Sequence, residues 1–158
     1  MPSGGSYPVV RSQLNLNSSL LTGIGTAPAN PMGWYIDFGA DSSGIAERVN
    51  LTPTVNVGIV GVAVNLPNGE ACNPQGSSRA FAASFADGKS VLRDTAGASI
   101  GFTASTRAVA TDVAFRSVGG RTRFFVGDSG GGVASPPGQF TGASSLKQLN
   151  WREVPTAD

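Results

Sequence analysis

The chain has 158 residues, about the length of one domain. Its 22 glycines and 10 prolines make up a fifth of it, while 13% of residues are charged and 40% hydrophobic. A net charge of +1 on so apolar a chain excludes charge-driven disorder, and it leaves no basic footprint for nucleic acid or an anionic membrane.

Val, Ile, Phe and Thr recur in short runs bounded by Gly, Pro, Asn, Asp or Ser, which is the signature of strands. In chain order, strands are predicted over residues 8–16, 33–38, 46–51, 55–64, 79–85, 90–92, 99–102, 107–115, 121–126 and 131–134. Within 55–64, Val55, Val57 and Ile59 keep one parity and Val60, Val62 and Val64 the other, which predicts a bulge at Ile59-Val60 or a strand covered on both faces. This apolar run is far too short to cross a bilayer, so no transmembrane segment is expected. Asp87-Gly88 and Gly119-Gly120 are predicted hairpin turns. Residues 65–78, with Pro67, Asn68-Gly69 and Pro74, are expected to form a long exposed loop carrying Cys72, and 135–145 a second loop. The glycines keep no three-residue period, which excludes collagen. An all-β fold of antiparallel strands follows, as a sandwich, barrel or propeller. At ~40–50 residues per blade, the chain would supply three to four blades of a propeller, too few to close a ring without further chain or some other cover.

The chemistry is narrowed by what is missing. There is no histidine to act as base, proton shuttle or metal ligand. Cys72 is the only cysteine, so neither an internal disulfide nor a thiolate metal cluster can form, and nothing near it in sequence would activate it as a nucleophile. Gly127-Asp128-Ser129-Gly130-Gly131 copies the nucleophile segment of trypsin-like proteases, but that serine needs a histidine base. The segment is therefore read as a Gly-rich turn capped by Asp128 and Ser129. Asp37 and Asp41 are read as residues of a solvated loop, and the scattered carboxylates show no metal-binding spacing. Asn17-Ser18-Ser19 and Asn50-Leu51-Thr52 match the glycosylation pattern, which matters only in a eukaryotic secretory route. Two lysines among many Ser, Thr and Asn residues suit an exported protein. Met1 to Gly5 carries neither a basic nor an apolar leader region; if the protein is secreted, its leader is expected upstream of Met1 and the chain is a piece of something longer.

Several segments in order resemble the type IV pilus tip-associated proteins of the PilY type. Met32-Gly33-Trp34-Tyr35-Ile36-Asp37-Phe38, followed by Ala46-Glu47-Arg48-Val49, is similar to that family's G-W-Y-x-D-L strand and G-E-R-V segment. Pro53, Val57-Gly58-Ile59-Val60, Pro67, Cys72 and Gly76-Ser77-Ser78 follow in the family's order, and Asn150-Trp151-Arg152-Glu153-Val154 resembles its closing S-W-R-E motif. The resemblance spans residues 32–154. It implies the C-terminal end of a quinoprotein-like β-propeller in a non-enzymatic module that supports pilus assembly and surface adhesion, outside the cell. The implied partners are minor pilins or a host or surface ligand. Gly33, Trp34, Tyr35, Asp37, Glu47, Arg48, Pro53, Cys72, Trp151, Arg152 and Glu153 would be structural signature residues, with Trp34, Tyr35 and Trp151 as large buried anchors and Glu47-Arg48 as a hydrogen-bonded pair between blades. The family's acidic calcium loop has no counterpart here, so no calcium and no other cofactor is expected. Ala46 stands where the family has glycine, and Ala80–Phe85 replaces its L-Y-x-L-D run. Two readings from other classes stand beside this one: a secreted β-domain that binds carbohydrate or protein, and an enzyme, either a fragment of a quinone-dependent propeller oxidoreductase or a degenerate serine hydrolase.

Overall fold

Small and β-branched residues in the middle of the chain alternate so regularly that one sheet acquires two buried faces. The computed structural model describes residues 10–22, 33–68, 76–106 and 108–140. A 3-10 turn over Arg11–Gln13 leads into β1 (Asn15–Leu16) and a single helical turn, α1 (Ser19–Thr22). β2 (Trp34–Tyr35) pairs with β1 in parallel, Trp34 opposite Asn15. The central sheet runs β3 (Thr54–Asn56), β4 (Ile59–Pro67), β5 (Gly76–Ser84), β6 (Thr103–Ser105), antiparallel throughout. A third sheet holds β7 (Ala110–Val118), β8 (Arg121–Asp128) and β9 (Val133–Ala134), also antiparallel and in chain order. The described chain is all-β apart from the short helical turns, and no sheet closes on itself among the described residues.

The faces of the central sheet follow from parity. Successive residues of a strand point to opposite sides. Ile59 and Ala63 of β4 join Ala80 and Ala82 of β5 in a core completed by Val113, Phe124, Val126 and Phe140 from the third sheet and its exit. Val64, Phe81 and Ala83 point the other way and bury Leu20, with Trp34, Ile36 and Phe38 packed around them. The register agrees, since Ala63 faces Ala80 and Val62 faces Phe81. The result is three layers with β4 and β5 in the middle. The alanines and Gly61 keep the first interface thin enough for aromatic rings: a Cβ added at Gly61 would lie 2.6 Å from a ring carbon of Phe124. The rings of Phe115 and Phe124 pack 5.0 Å apart between centroids, and Phe140 lies 6.0 Å from Phe115. Burying one such side chain is worth roughly 1.5–3 kcal/mol.

Several sequence expectations are corrected. Residues 55–64 are two strands, because Val57 (φ 48) and Gly58 (φ 78) make a two-residue turn where a bulge was expected. The covering of both faces holds along β4, whereas Val55 and Val57 are exposed. The two ends of the expected loop at 65–78 are strand, Asn65 pairing with Ser78, Leu66 with Ser77 and Pro67 with Gly76, and both Asn65 and Ser78 are buried; residues 69–75 lie outside the described residues. Within the predicted strand 8–16 the described part is the 3-10 turn and two strand residues. Segment 46–51 contributes only the bridges of Ala46 with Ala40 and Arg48 with Asn65, and 90–92 bridges to Ala83 and Gly138. Residues 99–102 hold a single bridge, Ser99 to Arg93, and the strand begins at Thr103. Both predicted turns are found: Gly88 (φ 67) donates to the Ser84 carbonyl, and Gly119 (φ 58) and Gly120 (φ 73) link β7 to β8.

Candidate functional site

Arg79 sits on β5 with Phe81 two residues on, so both side chains share the face turned toward the β1–β2 layer. Its guanidinium carbon lies 5.0 Å from the ring centroid of Phe102 and 5.6 Å from that of Phe81. The Nη2 donates to Glu47 Oε2, and the two side chains are only 24% and 12% exposed. The ion pair is thus held on aromatic faces, where a desolvated cation gains from the ring quadrupole. Arg79 Nε is buried with no hydrogen-bond partner.

Beside this pair opens a cleft of about 490 Å³, in which Asp41, Glu47, Ser77, Arg79 and Thr106 stand among apolar residues such as Leu21, Leu66 and Ala104. Asp41 Oδ1 accepts from the Ser43 and Ile45 amides, which shapes the loop on one wall. On the opposite face of the same sheet edge lies a second cleft of about 230 Å³, walled by Ala80, Val126, Asp128, Ala134 and Pro136. Ser78, Ala104 and Ser105 border both. An apolar recess of about 200 Å³ lies in the outer layer, where Pro53 meets Trp34, Phe38 and Phe81.

The signature residues named from sequence are distributed as follows. Trp34 and Tyr35 form β2 and are half-buried, where full burial was expected. Trp34 Nε1 donates to the Phe85 carbonyl at 3.0 Å, tying the outer layer to the turn after β5. Gly33 (φ 122) precedes it, and its carbonyl accepts from the Asn15 amide. Asp37 is exposed and pairs with Arg11, whose guanidinium carbon lies 4.5 Å from the centroid of the Tyr35 ring. The Tyr35 hydroxyl and then the Asp37 charge hold the Arg11 pKa above its ordinary value. Glu47 is paired, but with Arg79; Arg48 contributes its backbone, exchanging two 2.8 Å bonds with Asn65. Pro53 is exposed at the rim of the recess. Cys72, Trp151, Arg152 and Glu153 lie outside the described residues.

The protease-like segment is the turn that ends β8. Asp128 Oδ1 accepts from the amides of Gly130 (2.8 Å) and Gly132 (2.9 Å), and Ser129 is exposed, its amide bonded to the Val109 carbonyl. Asp128 therefore organises the backbone. Asp87 does the same in the turn after β5: burial would raise its carboxyl pKa, but hydrogen bonds from Ser84 and the Lys89 amide, with the Lys89 charge, hold it below the ordinary value. Among the described residues no group of three or more Cys, Asp or Glu could hold a metal ion.

Sequence reasoning missed Asn65 and Asn17. The Asn65 side chain behaves as a spare peptide group: Nδ2 donates to the Ala110 carbonyl at 2.9 Å and Oδ1 accepts from the Ala110 amide at 2.8 Å, joining β4 to β7. Asn17 is buried, and its Nδ2 donates to the Gly88 carbonyl at 2.9 Å, so this glycosylation pattern sits on an amide that is already used. Asn50 is exposed and accepts from Asn65 Nδ2. The only sequence signal was that Asn65 interrupts the apolar run of β4, while Asn17 merely continues the polar parity of Asn15.

The chain matches no protein-family model, no curated protein and no solved structure.

Proposed function

We propose that this chain is a non-enzymatic module of the pilus-tip assembly and adhesion kind, which works by binding at the edge of its central sheet. The observation that carries the reading is the Glu47–Arg79 pair, set in a cleft of mixed polar and apolar lining and anchored on Phe81 and Phe102. Its charges are committed to each other and to the aromatic faces, which supports a fixed recognition surface. The signature segment with Glu47 supplies one wall of that cleft, so the ordered motifs and the cleft support the same reading. The finer architecture proposed is part of a β-propeller. Its support is the four-stranded antiparallel meander with both faces covered, the form of one blade.

Outside the cell, partners would be minor pilins or a surface ligand. Deleting the parent gene is expected to reduce surface pili, twitching and attachment, and a copy carrying Arg79→Ala is expected to restore less than the native copy at equal protein level. Normal piliation, motility and attachment in the deletion strain would overturn the proposal. The hydroxyls of Ser77 and Thr106 beside Asp41 favour one other reading, a free-standing β-domain that binds carbohydrate. A glycan array separates the two.

A further inference from the structure

The outer face of the third sheet carries a concentration of charge that no described residue neutralises. Along the ribbon of β7 and β8 the register sets Ala114 opposite Phe125, Arg116 opposite Arg123 and Val118 opposite Arg121. These six share one face, since side chains alternate across a strand and the residues between them, Phe115 and Phe124, pack into the core. Arg116, Arg121 and Arg123 are all exposed. The ion pairs among the described residues are Arg11–Asp37, Arg79–Glu47 and Lys89–Asp87, so none of the three arginines has a carboxylate partner there. The next acid on this face is Asp112, four residues back from Arg116, which is about 13 Å along the strand. Like charges directly opposite on a sheet destabilise it. The Arg116–Arg123 placement therefore costs the folded chain stability, and an anionic ligand would remove that cost.

The size and spacing of the patch select its occupant. The three guanidinium groups lie within two ladder positions, and the whole chain carries only +1. Neither long-range steering nor an extended cationic track is there to serve a nucleic acid or an anionic membrane. A symmetric dimer through this face would set like charge against like, so a second copy is disfavoured. A short acidic stretch of protein fits. Same-face side chains recur about every 6.6 Å along a strand, the step from Arg121 to Arg123, and alternate residues of an extended partner keep that same step. The arginine fork takes a carboxylate through two parallel hydrogen bonds. Val118, 46% exposed beside Arg121, adds an apolar contact. We propose that the outer face of the β7–β8 ribbon binds an extended segment of a partner protein in which every second residue is acidic, two carboxylates meeting Arg121 and Arg123 and a third reaching across to Arg116. This face lies beyond the third sheet, whereas the Glu47–Arg79 pair faces the β1–β2 layer. The inference thus goes beyond the reading above and does not depend on it.

The test is a titration of the full chain with a fluorescent nine-residue peptide of alternating Glu and Thr at neutral pH, followed by anisotropy and by amide NMR shifts. Saturable binding that shifts the amides from Arg116 to Arg123 is expected. The Gln–Thr and Lys–Thr counterparts should each bind at least about tenfold more weakly, the worth of one charge-assisted hydrogen bond. Arg121→Thr and Arg123→Thr should each lose about tenfold. Arg123→Thr should also leave the urea midpoint unchanged or higher, because it removes one of two opposed cations. Lys89→Thr, which removes a positive charge elsewhere, should bind as the native chain does. An equal loss at Lys89→Thr, equal binding of the Gln–Thr peptide, or binding that survives Arg121→Thr and Arg123→Thr together would overturn the proposal. So would tighter binding of an oligothymidylate, a sulfated oligosaccharide or phosphatidylserine vesicles compared at equal charge concentration, which would give the face to another class of ligand. Binding that appears only in Glu153→Gln would overturn it too, by making the chain's own terminus the occupant.

Discussion

Asn65 shows how much one side chain can hold when its amide copies a peptide bond. It is 4% exposed, its backbone pairs with Arg48, and its side chain closes both hydrogen bonds of Ala110. Removing it leaves a buried donor and a buried acceptor without partners, and each such group costs about 1–3 kcal/mol. Asn65→Ala is therefore expected to lose about 2–4 kcal/mol in urea unfolding. Asn65→Asp keeps the acceptor for the Ala110 amide but sets a carboxylate against the Ala110 carbonyl, and should lose at least as much. Asn50→Ala removes only an exposed partner and should stay within about 1 kcal/mol of the native chain. Equal losses at Asn65 and Asn50 would show that the link between β4 and β7 is not what these groups provide. Asn65 was not legible in the sequence because asparagine after a valine run and before proline is a normal turn signal. Only the partner strand, forty-five positions away, reveals its use.

At the scale of elements, the turn between β3 and β4 sets two preferences against each other. A two-residue hairpin turn with positive φ at both positions favours Asn-Gly, and here a β-branched residue, Val57, holds φ 48. The left-handed region costs a residue with a branched Cβ about 1–2 kcal/mol. Val57→Asn is thus expected to raise stability by about 1 kcal/mol, seen as a higher urea midpoint at unchanged slope. A fall in the midpoint would mean that Val57, 39% exposed, contributes packing that outweighs the strain. The same conflict explains what sequence reading missed. Val57-Gly58 lacks the usual turn residues at its first position, so the valine run read as one bulged strand, whereas Gly119-Gly120 announced itself. Pro67 and Gly76 likewise looked like loop, yet they are the last pair of the β4–β5 ladder. Strand types and the two covered faces were legible because parity depends only on neighbours. The Arg79 partner of Glu47, thirty-two positions on, was not, because an adjacent arginine looked sufficient.

For the whole molecule the decisive fact is that β4 and β5 belong to both cores. Phe124 is fully buried in the interface with the third sheet, and Phe81 is 1% exposed in the interface with the outer layer. If the layers were independent, each phenylalanine would stabilise only its own side. They are not independent, since Ala80, Ala82, Phe81 and Ala83 are consecutive residues of one strand, and losing its register on one face inverts the other. Phe81→Ala and Phe124→Ala are each expected to cost about 3–5 kcal/mol. Both should lower one shared transition, with amide exchange at Leu20 and at Val113 reporting the same unfolding free energy. Two separate transitions, with Phe81→Ala moving only the outer layer, would show that the β1–β2 layer docks on a sandwich that folds without it.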